Sequence, residues 1–195
     1  MTLRILGDSI SGNCLKVKWI ADYLGLDYAW TEVDLMKGET RTADFLALNP
    51  AGQVPVVVLP DGRALAQSNA IILHLAEATD LIPADPYDRA KMFEWMFWEQ
   101  YSHEPYVAVA RFQVKYEGRD PATLDARLVS RGVAALVRME AALDGCEYLA
   151  GGRLSLADVA LVAYTRVAGE GGFDLSPYPH LRGWIDRVER ALAIG

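Results

Sequence analysis

The stretch Asn49-Pro-Ala-Gly-Gln-Val-Pro-Val-Val-Val58 constrains the fold of this chain more than any other. Three valines behind a proline read as a short buried strand, and proline is tolerated at a strand's first residue because its missing N–H costs little there. A cis bond between Val54 and Pro55 would turn the Val54 N–H and C=O outward, free to pair with an extended ligand as a sheet edge pairs with a strand. Further on, Gln67-Ser68 opens a helix. The N–H groups of a helix start suit a carboxylate. The two features together fit a small anionic peptide.

The 195 residues, 52% of them apolar, can bury a core in one compact domain or two small ones. A net charge of −7 argues against a nucleic-acid partner. No apolar run approaches the roughly 18 residues that span a bilayer, and the N-terminus lacks a charged-then-apolar leader, so a cytoplasmic protein with no membrane partner is expected. Cys14 and Cys146 are far apart, and His74, His103 and His180 are isolated. Neither a disulfide framework nor a metal site is expected from such spacing.

Thr2 to Leu6 reads as a strand, followed by a polar loop and a helix from about Asn13 to Leu24, stopped by Gly25. Tyr28 to Val33 is a second strand and Thr42 to Leu48 a short helix. Val56 to Leu59 and Ala64 to Ala66 flank Pro60-Asp-Gly62, a hairpin turn, and Ser68 caps the next helix. Residues 1–78 thus read βαβαββα. Residues 79–87 hold two prolines without a helical pattern and read as a linker. An aromatic-rich helix follows from Asp88 to about Val114, with a bend expected at Pro105. Thr123 to Leu143 repeats apolar residues at helical spacing. Ser155 and Asp158 have the form of a capping box opening a helix to Ala168, and a last helix runs from Pro179 to Ala191.

In this order and spacing, Ser11-Gly-Asn-Cys14, the loop from Asn49 to Pro55, Gln67-Ser68 and Ser155-Leu-Ala-Asp158 resemble the cytosolic glutathione transferase family, of the serine type. The resemblance covers essentially the whole chain. It implies an α+β protein: a thioredoxin-like βαβαββα domain over 1–78 that binds glutathione, a linker over 79–87, and an all-helical domain over 88–195 that shapes the second substrate's pocket. It also implies glutathione as co-substrate and a homodimer.

A free thiol has a pKa near roughly 8.5, so an enzyme that uses a thiolate must stabilise the ion. The resemblance gives that role to Ser11, whose hydroxyl can donate to sulfur beside a helix N-terminus; Ser9 and Asn13 can present a donor at the same place. Serine where thioredoxins carry the first cysteine of Cys-x-x-Cys excludes an ordinary dithiol mechanism, and Cys14 is expected in the core. Ser68 would take the γ-glutamyl carboxylate and Gln67 the amino group, Val54 and Pro55 the cysteinyl unit, and Gln53, Lys37 and Arg41 the glycyl end. A pocket for an apolar electrophile needs aromatic walls with polar tips, and Trp98, Ser102, His103 and Tyr106 are the candidates. Conjugation to a small apolar electrophile is the first expectation. Glutathione-dependent disulfide or peroxide reduction is the second, and a non-catalytic interaction module the third.

Overall fold

The structure is a computed structural model that describes residues 2–194. The chain divides into two compact units, the first ending at Thr79 and the second beginning at Asp80.

The first unit runs β1 (Leu3–Gly7), α1 (Gly12–Tyr23), β2 (Tyr28–Glu32), α2 (Ala43–Leu48), β3 (Val56–Val58), β4 (Ala64–Ala66) and α3 (Ser68–Leu75). Its sheet has the order β2-β1-β3-β4. β1 lies parallel to β2, with Leu3 opposite Tyr28, and antiparallel to β3, with Ile5 opposite Val57. Side chains alternate across a strand, so the valines sort to two faces. Leu6, Val56 and Val58 pack with Phe45 and Leu48 of α2. Ile5 and Val57 point the other way, towards the side where α1 and α3 pack on each other and on the sheet. Burial on both faces explains why β3 is an unbroken apolar run. Gly62, at φ 90°, closes the β3–β4 hairpin with its N–H on the Leu59 carbonyl. Gly7 is required for space: a Cβ there would lie 2.8 Å from the Trp30 ring and 3.1 Å from the Cys14 sulfur.

The second unit has helices and no strand among its described residues; the main ones are α4 (Pro86–Trp98), a π-helical turn (Glu99–His103), α5 (Glu104–Lys115), α6 (Ala126–Ala142), α7 (Leu156–Thr165) and α8 (Pro179–Leu192). Every residue of α7 is buried, as expected of a helix apolar on all sides. Asp158 in its first turn accepts from the Ser155 N–H, and the expected capping box is present.

Four expectations need correction. Pro86 and Tyr87, read as linker, begin α4, because Asp85 Oδ1 accepts from the Tyr87 and Asp88 N–H groups at 2.9 and 3.0 Å and proline suits the first helical position. The break in the aromatic helix lies ahead of Pro105, in the Glu99–His103 turn. Widening to π geometry lets the following helix start with Pro105 in its first turn, where no N–H is needed. The helix read from Thr123 begins at Ala126, where Asp125 caps it through the Arg127 and Leu128 N–H groups, and the helix read to Ala168 ends at Thr165.

Arg111 of α5 is 7% exposed and donates from Nε to Glu170 Oε2 at 2.8 Å, with Lys115 at 3.6 Å from the other oxygen. Burial pushes the Glu170 carboxyl upward, but Arg111 and Lys115 outweigh it and hold the group below its ordinary range. A carboxyl depressed in the folded state stabilises above its unfolded pKa, and that contribution fades as pH falls through the folded value. Glu170→Gln is therefore expected to lower stability at pH 7 by about 1 kcal/mol, small because the carboxylate is partly exposed and screened. Urea midpoints for the two proteins should converge below about pH 4. A gap independent of pH would show that the pair contributes nothing through its charge.

Candidate active site

The site is built around the N-terminal ends of α1 and α3. Asp8, just past β1, accepts at Oδ1 from the N–H groups of Ile10 at 2.8 Å and Ser11 at 3.1 Å. This turn delivers Ser11 to the position before α1 with extended backbone, φ −74° and ψ 123°. The Ser11 hydroxyl acts to lower the Cys14 pKa, and the Cys14 sulfur accepts from the Asp8 N–H at 3.3 Å. Burial dominates at Cys14 and pushes its pKa up to about 12, so the thiol stays protonated and inert. Ser9 is exposed and its N–H sits on Glu32 Oε1 at 2.8 Å, while the Trp30 indole donates to Oε2 at 2.7 Å. Burial acts to raise the Glu32 carboxyl, but these donors prevail and hold it low.

Ser68 does not cap α3 as expected. It is the first residue of the helix, and Gln67 holds the capping position at φ 71° and ψ 110°. That backbone region is uncommon for any residue but glycine. The physical reason lies in the register: Val56 pairs with Ala66, so the chain must turn from strand to helix within one residue. Gln67 follows that last pair directly on one strand, and Pro55 precedes it on the other. Ser68 is buried, and its hydroxyl donates to Asn13 Oδ1 at 3.0 Å, tying the first turn of α3 to the first turn of α1. One turn deeper, the buried Lys16 donates to Asn69 Oδ1 at 3.4 Å. Both helix starts bring partial positive charge to this corner.

The Val54–Pro55 bond is cis. Ahead of it, Gly52 at φ 62° lies under the Arg41 guanidinium, which reaches the Ala51 carbonyl at 3.5 Å. Arg41 and Gln53 are exposed along this loop. The Lys37 ammonium pairs with Asp34 at 2.9 Å on an exposed turn.

A family model for the glutathione S-transferase N-terminal domain matches residues 10–78, and one for the C-terminal domain matches residues 98–191. The chain belongs to the glutathione S-transferase family. Its structure is similar to that of a glutathione S-transferase from Pseudomonas fluorescens, with a TM-score of 0.93 and 47% identity over 97% of this chain and 95% of that one. Its sequence is 31% identical to glutathione S-transferase 3 of Zea mays over 95% of this chain and 88% of the relative. It is 28% identical to the disulfide-bond oxidoreductase YfcG of Escherichia coli, over 94% and 88% respectively.

In the second unit of this transferase-family chain, the four residues expected to line a pocket differ in burial, although the Trp98 and His103 rings lie 6.1 Å apart. His103 is fully buried, with Nε2 3.0 Å from the Thr165 hydroxyl. That hydroxyl gives its hydrogen to the Leu161 carbonyl at 2.7 Å, which places the imidazole proton on Nε2. His103 is therefore a core residue of the π-turn and not the polar tip of a pocket. Trp98 is half-buried, edge-on to Trp95 at 5.2 Å, with the Arg138 guanidinium 4.7 Å from its ring centre. Ser102 and Tyr106 are half-buried.

Two residues went unread in the sequence. Asp8 had a signal: an acidic residue three before Ser11 forms this kind of turn. Asn49, buried at the end of α2, looked like one more polar member of a loop. Among the described residues no three His, Cys, Asp or Glu side chains gather to hold a metal, and no helix is long and apolar enough to cross a membrane.

Proposed function

We propose that this chain is a glutathione-dependent enzyme that joins the glutathione sulfur to a small apolar electrophile. The thiolate attacks carbon, a C–S bond forms, and the electron pair leaves with the departing group or an opened epoxide oxygen. The observation that carries this reading is the Ser68–Asn13 hydrogen bond, which joins two helix N-termini beside the Val56–Ala66 end of the β3–β4 hairpin, next to Pro55 and Gln67 in the chain. Such a corner supplies first-turn N–H groups to a carboxylate and positive potential to a thiolate. Ser68 and Gln67 take the γ-glutamyl end, the Val54 backbone takes the cysteinyl unit, and Arg41 with Gln53 takes the glycyl carboxylate. Ser11 and Asn13 face the sulfur. Trp98, Ser102 and Tyr106 remain the residues proposed for the electrophile, and Phe97 and Tyr101, 71% and 82% exposed on one helical stripe, are proposed to meet a second copy of the chain. The expected cytoplasmic location belongs to the same proposal.

A second reading, glutathione-dependent disulfide or peroxide reduction, draws on one specific arrangement: Asn13 is held at the corner by the Ser68 hydroxyl. The similarity to YfcG points the same way. Calorimetric titration tests what both readings share. Wild-type protein should bind glutathione at millimolar affinity or better, and Ser68→Ala should bind about tenfold more weakly, because the bond to Asn13 that ties the two helix starts together is lost. No heat from wild type would leave a non-catalytic interaction module.

A further inference from the structure

We propose that Asn49 is a positioning residue that aims the Val54 N–H at bound glutathione by pinning the carbonyl of Gln53; this rests on the glutathione reading above. Asn49 follows α2 directly and is buried, its own N–H donating to the Phe45 carbonyl at 2.9 Å. Both ends of its side-chain amide are used. Nδ2 donates to the Gln53 carbonyl at 2.7 Å, and Oδ1 accepts from the Ala51 N–H at 3.2 Å. Its main-chain carbonyl takes the Gly52 N–H at 2.9 Å. One buried side chain thus closes the whole loop ahead of Val54.

The Gln53 carbonyl and the Val54 N–H belong to one peptide unit, which is planar, and in a trans unit the two groups point in opposite directions. Holding the carbonyl towards Asn49 therefore fixes the N–H on the opposite side, where the ligand's backbone is proposed to lie. Only a donor at Asn49 can do this. A carboxylate of the same shape would still accept from Ala51 but would repel the Gln53 carbonyl.

Asn49→Asp separates these duties. The variant is expected to raise the Kd and KM for glutathione about tenfold or more, the effect of an unsatisfied buried carbonyl, while kcat at saturating glutathione and the KM for the electrophile stay within about twofold of wild type. The ratio of variant to wild-type Kd should shrink between about pH 7 and about pH 4, because an introduced carboxyl, ordinarily with a pKa of roughly 3.9, regains a donor when protonated. A variant that binds like wild type, or a ratio that does not move with pH, overturns the proposal. Where Asn49→Asp shows no cooperative thermal transition, Asn49→Ala is measured in its place; it too should bind about tenfold more weakly, and an unchanged Kd overturns the proposal. Wild-type protein without glutathione binding removes the underlying reading as well, whereas binding wild type beside an equally tight variant removes the positioning role alone.

Discussion

Asp158→Ala is expected to lower the thermal midpoint of the chain by roughly 10 °C or more, a loss of about 3–5 kcal/mol. Four donors converge on this one buried carboxylate. The Leu149 N–H and the Trp184 indole reach Oδ1 at 3.0 and 2.9 Å, and the Ser155 N–H and hydroxyl each reach Oδ2 at 2.9 Å. Burial pushes the carboxyl above its ordinary range, and the four bonds pull it back. Removing the group leaves four buried donors without an acceptor, each costing about 1–3 kcal/mol in isolation and less together because the site relaxes. Asp158→Asn keeps one oxygen but turns an NH2 towards donors, so it should fall between wild type and alanine. Thermal circular dichroism checks both. A midpoint within about 2 °C of wild type for Asp158→Ala would mean that the network is not what joins α7, α8 and the loop at Leu149.

That network was half legible in the sequence, and the half that was missed follows a rule. Ser155 and Asp158 lie three apart, and a capping box is a local pattern, so it could be read. Trp184 is 26 residues away from Asp158, and no local pattern records such a bond. The same division runs through the rest of the chain. Pro55, Pro60-Asp-Gly62 and the valine run marked β3 and its hairpin, because proline and glycine act on their own backbone. His103 was assigned to a pocket because its partner Thr165 stands 62 residues off and periodicity cannot sense a π-turn that shifts the helix by one residue. Lys37 and Arg41 looked equivalent until Asp34 was seen to hold the first and Gly52 to underlie the second. Asn49 could be seen as part of a loop, but not as the side chain that closes it.

The other large effect concerns the sulfur. Ser11→Ala is expected to lower the conjugation rate per bound glutathione about a hundredfold near pH 6.5, the loss typical of one donor aimed at an anion in a closed site. In the same variant the pH–rate midpoint should rise towards the roughly 8.5 of a free thiol, because a donor to the charged form is what lowers that pKa. Ser11 holds the position before α1, and rotation about a single bond is enough to turn its hydroxyl towards a sulfur at that helix start. Cys14 need not compensate, since its pKa near 12 keeps it a neutral thiol throughout the measured range. Asn13→Ala should act differently. It takes the Ser68 hydroxyl's acceptor away and so should weaken glutathione binding together with catalysis, where Ser11→Ala spares binding. Single-turnover rates and equilibrium binding, measured over pH for both variants, separate the two roles. If Ser11→Ala leaves the pH midpoint in place and Asn13→Ala moves it, the thiolate donor is Asn13, and disulfide exchange becomes the better account of this site.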